Sequence, residues 1–270
     1  MKILKKIEKY NKWIILNFLK LFLRNRKIDY PLAKDNIKKI LILRYDVLGD
    51  MVITIPMVDY LKSLVPNSEI DILCSQKNYD VAKNILGINK AIIYSGKSLF
   101  IDELKSLKNE KYDLIISLVF NKTSLSGLIA NYINRKAIKV TLMESKRADL
   151  YSILFNILLP LEYLKGHITL LELQLRMISM LFGESFDQNK INKSALNLDN
   201  NYISQPPSFF KDNKSTKILY NISAGSDFRT FSTKKNIELL KEILIIFPSC
   251  DFYISYYKDD FERDRKLNSV

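Results

Sequence analysis

Residues 39–45, KILILRY, form an almost unbroken apolar run without polar alternation, the pattern of a strand covered on both faces. Residues 46–50 interrupt it, and apolar positions return over 51–64 at helical spacing until Pro66. The unit then repeats. Strands predicted at 70–74, 90–94, 112–118 and 137–141 alternate with helices predicted at 79–86, 99–107 and 124–133. Two further helical patterns cover 150–159 and 167–182, with Gly183 as the stop of the second. Strands separated by helices build βαβ units, so the expected class is α/β: a mostly parallel, Rossmann-like sheet with helices on both faces.

Past Gly183 the pattern changes. Residues 184–215 are polar, rich in Asn, Ser and Lys, and contain Pro206-Pro207, which reads as a connection between domains. A second βα pattern follows, with a strand at 217–222, the turn Ser223-Ala224-Gly225-Ser226, a helix at 233–246 and a strand at 251–255. Two strands are few for an independent parallel domain, which usually runs to ~100–150 residues. The expected organisation is a basic amphipathic helix over 1–30, an N-terminal domain over 31–183, a linker over 184–215 and an incomplete second α/β domain over 216–270.

Charge singles out the first element. The chain carries a formal +13, and residues 1–27 hold nine basic residues against the single acid Glu8, or +8 of that total. The other 243 residues are only mildly basic, which disfavours a nucleic-acid-binding surface. Lys2, Lys5, Lys6, Lys9 and Lys12 fall on one helical face, with Ile3, Ile7, Tyr10, Ile14 and Phe18 on another. Asn17 and Lys20 break the apolar stretch, so it is too short to cross a bilayer. Arg24-Asn25-Arg26-Lys27 offers no small-residue cleavage site for a signal peptide. Two readings remain: a helix lying on an anionic membrane surface, each basic residue contributing ~1 kcal/mol, or a helix packed on the protein's own core.

Residue chemistry excludes several functions. Cys74 and Cys250 form no CxxC pair, and the single histidine, His167, cannot build a histidine zinc site. Neither a GxGxxG nor a P-loop is present. The distinctive feature is Arg44-Tyr45-Asp46-Val47-Leu48-Gly49-Asp50-Met51, which leads to Thr54-Ile55-Pro56. It follows the first strand, at the sheet edge where open α/β folds bind ligands. There Gly49 would let the backbone turn, and Asp50 is either a helix-start acid favoured by the dipole or a functional carboxylate.

This segment resembles the opening of glycosyltransferase family 9, the lipopolysaccharide heptosyltransferases, with its hydrophobic strand, xxLGD turn and threonine-proline stretch. Tyr112-Asp113-Leu114-Ile115-Ile116 resembles the family's "YDxVID" strand, and His167 with Glu172 and Gly183 its helix before the domain connection. Residues 221–232, NISAGSDFRTFS, resemble the "NPGA…KRWP" loop opening the second domain, with Ile222, Phe231 and Arg229 replacing its proline, tryptophan and lysine.

The resemblance implies a GT-B-like architecture and inverting transfer of a heptose or related sugar from a nucleotide sugar, typically ADP-heptose, to lipopolysaccharide core. Asp50 would be the general base. Ser223, Ala224, Gly225, Ser226 and Arg229 would meet the donor pyrophosphate, and Gly49, Lys122, Lys146, Arg147 and His167 the acceptor. Solvated loop charges are the alternative for the cations, and a helix cap for His167. No cofactor is expected, and without a DxD-like pair no metal. The expected location is the cytoplasmic face of the inner membrane. Family members continue through further βα units, so the chain reads as ending early. The alternative function is accordingly a catalytically defective remnant or a membrane-associated acceptor-binding module.

Overall fold

A computed structural model describes residues 21–23, 25–96, 102–120, 123–143, 148–160, 168–187, 196–199, 215–222 and 231–255. Of the basic helix expected over residues 1–30, residues 1–20 and 24 lie outside them; Leu21 and Phe22 are helical, whereas residues 25–30 are not. The chain packs as two compact units, Met1–Tyr202 and Ile203–Val270.

The first unit is a six-stranded, wholly parallel sheet. Its strands are β1 (Lys39–Arg44), β2 (Glu69–Cys74), β3 (Lys90–Ile93), β4 (Leu114–Ser117), β5 (Ile138–Met143) and β6 (Ile157–Pro160), in the order β3-β2-β1-β4-β5-β6. The helices are α1 (Leu48–Leu64), α2 (Tyr79–Ala82), α3 (Asp102–Leu107), α4 (Thr123–Ile133), α5 (Ala148–Leu154) and α6 (Leu170–Phe182).

The apolar run of β1 explains the layering. Ile40 and Ile42 enter one core with Met51, Ile55 and Val58 of α1 and Leu175, Ile178 and Leu181 of α6. Leu41 and Leu43, pointing the other way, pack with Leu104 and Leu107 of α3 and Ile129 and Ile133 of α4. Successive residues feed opposite faces, so a strand covered on both sides needs no polar alternation. Thr169 caps α6 by accepting a hydrogen bond from the Glu172 N–H, and Gly183, at φ 69°, closes it in the left-handed region.

One predicted element changes identity. Residues 150–159 read as a helix, but α5 ends at Leu154 and Ile157–Pro160 becomes the edge strand β6. A short apolar run fits either periodicity, and what decides it is non-local. Asn156 turns the chain by accepting from the Lys139 N–H through its side chain and donating its own N–H to the Lys139 carbonyl. Pro160 then occupies the last position of an edge strand, where a missing N–H is tolerated.

Residues 25–28 are stapled to this edge. Asn25 Nδ2 donates to Asn131 Oδ1 at 2.7 Å and to the Ile153 carbonyl at 2.8 Å. Asn25 Oδ1 accepts from the buried Lys139 Nζ at 3.1 Å, and the Ile28 N–H donates to the Asn156 carbonyl at 3.1 Å. Leu23 packs against Tyr151, Leu154 and Phe155. Part of the expected linker also rests on this unit: Ile85 and Leu198 form an isolated antiparallel bridge.

Within the second unit, β7 (Lys217–Asn221) pairs in parallel with β8 (Asp251–Ser255), and α7 (Thr233–Ile246) starts at a Ser232 cap. Among its described residues the buried apolar ones are Ile222 and Leu240, while Leu219, Ile245 and Ile246 are exposed. So little apolar burial predicts easy local opening. Amides of residues 218–222 should exchange orders of magnitude faster than those of 40–43; equal protection in a native-state exchange experiment would contradict this.

Candidate active site

Strand β1 leads outward to β2 and β3 on one side, and the chain then returns to β4 on its other side. The carboxyl ends of β1 and β4 therefore flank a topological switch point, where open α/β sheets bind ligands. The segment after β1 is the one that the sequence singles out.

Arg44, the last residue of β1, is fully buried. Its Nη1 donates to Asp46 Oδ2 at 3.1 Å and to the Leu118 carbonyl just past β4, which spans the switch point. Nε donates to the Asp50 carbonyl at 3.1 Å. Nη2 lies 3.8 Å from Asp50 Oδ1 and, among the described residues, has no hydrogen-bond partner. The Phe120 ring, 5.9 Å from the guanidinium carbon, covers the group. Burial alone would lower the arginine's pKa, and the two carboxylates counter that by favouring its charge.

Asp46 sits in the turn. Its side chain is 14% exposed, and Oδ1 is buried with no partner among the described residues. Ser75 Oγ donates to its carbonyl at 3.1 Å, and Asn78 Nδ2 donates to the Arg44 carbonyl at 3.0 Å, so the β2–α2 turn fixes the backbone here. Burial pushes the Asp46 carboxyl up to about 6; Arg44 opposes the rise and Asp50 reinforces it.

Asp50 is the third residue of α1, which begins at Leu48 rather than at Met51, with Val47 as N-cap. It is therefore a first-turn acid favoured by the helix dipole. Its side chain is 27% exposed, the most open of the three. Thr54 Oγ1 donates to its carbonyl at 2.7 Å. Gly49 corrects the sequence reading: it is helical rather than the hinge of a turn, and a Cβ placed on it would meet nothing within 4 Å. The space over Gly49 is open.

Lys122, Lys146, Arg147 and His167, together with Ser223, Ala224, Gly225, Ser226 and Arg229, lie outside the described residues. The Tyr112-Asp113 motif occupies the opposite sheet edge. Tyr112 Oη donates to Asp71 Oδ2 at 2.7 Å, and Asp113 Oδ2 accepts from the Lys38 and Lys39 N–H groups at 2.8 and 2.9 Å, ties that register β4 against β1. Arg44 is the residue that sequence reasoning missed. Its signal was a cation closing an otherwise apolar strand next to two acids.

No protein-family profile and no curated protein matches the chain. Solved structures do. E. coli heptosyltransferase WaaC with ADP-2-deoxy-2-fluoro heptose superposes with a TM-score of 0.65 at 14% identity, over 85% of this chain and 72% of that one. The family 9 glycosyltransferase from Veillonella parvula gives 0.64 at 14% identity, over 89% and 68%. E. coli ADP-heptose lps heptosyltransferase II gives 0.58 at 15%, over 86% and 69%. The chain has a GT-B-like, family 9 heptosyltransferase-like fold. Asp50 stands in the first turn of α1, next to Gly49, over which the space is open. Among the described residues, no helix is long and apolar enough to cross a membrane.

Proposed function

We propose that the protein is an inverting glycosyltransferase that moves a heptose or related sugar from a nucleotide sugar, ADP-heptose in the first instance, to a lipopolysaccharide core acceptor. One observation carries the reading: within a heptosyltransferase-like fold, the partly exposed Asp50 carboxylate stands at the switch point, next to Gly49, over which the space is open. In the step proposed, the acceptor oxygen attacks the anomeric carbon from the face opposite the nucleoside diphosphate. Its proton passes to Asp50 while the bond to the diphosphate breaks, and the leaving group keeps the electron pair. A carboxylate so placed typically contributes ~10²–10⁴ in rate as a general base. Arg229 and the 223–226 turn are proposed to hold the diphosphate, and Gly49, Lys122, Lys146, Arg147 and His167 to face the acceptor.

Incubating the protein with ADP-heptose and heptose-deficient lipopolysaccharide core should yield ADP and a core heavier by one heptose. Acceptor binding with no ADP release at high protein concentration would reject the transferase reading in favour of an acceptor-binding module. Residues 1–20, with six lysines against Glu8, are proposed to hold the protein to the anionic cytoplasmic face of the inner membrane. Deleting them should release the protein from phosphatidylglycerol-containing vesicles, and high salt should do the same, because the Debye length shrinks from ~8–10 Å to ~3 Å at 1 M. Vesicle binding that survives both treatments would overturn the anchor.

A further inference from the structure

Asp46 and Asp50 are four residues apart, and the fold brings both carboxyl groups to the Arg44 guanidinium. One buried cation serves both, with Nη1 on Asp46 Oδ2 at 3.1 Å and Nη2 at 3.8 Å from Asp50 Oδ1. Among the described residues, three buried polar atoms remain unpaired here, Arg44 Nη2, Tyr45 Oη and Asp46 Oδ1. Buried polar groups without partners are uncommon and costly, and here Arg44 Nη2 stands 3.8 Å from the Asp50 carboxylate. Two adjacent carboxyls cannot both ionise freely and tend to hold one proton between them.

We infer that Asp46 and Asp50 form a proton-sharing carboxyl pair clamped by Arg44, in which Asp46 is a positioning residue that acts through Asp50. The inference rests on the transferase reading for its role in turnover, but not for its existence. In turnover the proton moves from the acceptor oxygen to an Asp50 oxygen and then to Asp46 Oδ1, which leaves Asp50 ionised. No other bond changes in that second transfer. On product release the proton returns through Asp50, the more exposed of the two, to water. Among the described residues, the ionisable groups around Asp46 are Arg44 and Tyr45 from the end of β1 and Asp50 from α1, with Tyr94 edge-on to Tyr45 at 4.9 Å. The β2–α2 turn contributes the neutral Ser75 and Asn78, and the end of β4 the Leu118 carbonyl and the Phe120 ring.

The test is a carboxyl carbon-13 NMR titration of the whole protein. The Asp46 resonance should titrate at about 6, and Asp50→Asn should move that midpoint down by ~1 unit, because a neighbouring negative charge is lost. An unmoved midpoint overturns the pair. The sign for stability follows. The folded protein binds this proton more tightly than the unfolded chain, so the stabilisation is full below the unfolded value of 3.8 and is lost as pH rises through about 6. Asp46→Asn should flatten that slope in urea unfolding; if this variant does not fold, the Asp50→Asn titration still decides. In kinetics with ADP-heptose and core acceptor, the acid limb of kcat should move to lower pH in Asp46→Asn, and an unmoved limb counts against the pair. A coupled titration in a protein with no turnover upholds the pair and rejects the transferase reading instead.

Discussion

Asp50→Asn lowers the turnover number for sugar transfer by ~10²–10⁴ and leaves the affinity for ADP-heptose within a few fold. Asparagine preserves the shape of the side chain but cannot accept the acceptor hydroxyl's proton, so the loss falls on the transition state rather than on binding. The fold should persist. Asp50 is partly exposed, and losing a first-turn acid costs a helix only ~0.3–1 kcal/mol. Steady-state rates of ADP release, with calorimetric titration of the donor, separate the two effects. A variant that keeps a tenth or more of the turnover would show that Asp50 is not the base.

The second large effect is on stability. Arg44→Met leaves the Asp46 carboxylate and the Leu118 carbonyl facing an apolar side chain at the centre of the sheet edge. Removing one partner of a buried ion pair typically costs ~3–5 kcal/mol, because the other charge stays behind. For a unit of this size that corresponds to a fall of roughly 6–20 °C in melting temperature. The cost should be greatest above pH 6, where Asp46 is ionised, and should shrink as protonation removes the stranded charge. Thermal unfolding at pH 8 and pH 5 checks both statements. A loss below about 1 kcal/mol at pH 8 would mean that the guanidinium does not hold the site together.

The central strands were legible because burial on both faces writes itself locally, as in Ile40 to Leu43, where every position is apolar. The edge strand was not. Ile157–Pro160 takes its state from Lys139 on β5 and from Asn156, and nothing within the run itself distinguishes it from helix. The site was legible in the same uneven way. Asp50 is visible because its motif is contiguous. Arg44 is not, because a charge at the end of a strand ordinarily meets solvent. What buries it is the Leu118 carbonyl and the Phe120 ring, brought from a strand far along the chain by the β1–β4 pairing. Chemistry made by neighbours in sequence could be read directly, and chemistry made by neighbours in the sheet had to wait for the topology.

The Asn25 staple has a mechanical consequence. Asn25 is gripped near the start of β5, whereas Asp50 lies past the end of β1, so the two stand at opposite ends of the strands, about 20 Å apart at ~3.3 Å per residue. Downstream of Asn25 the chain has no slack, since Ile28 is already bonded to Asn156 and Leu32 to Leu181. A surface that grips residues 1–20 would therefore do more than raise the local concentration of the protein. It would act on a rigid arm whose short end is Asn25 and whose long end carries Asp50, setting the height and tilt at which the carboxylate rides above that surface. Lengthening the arm with a few glycines just before Leu21 would loosen that aim without touching a single residue of the site.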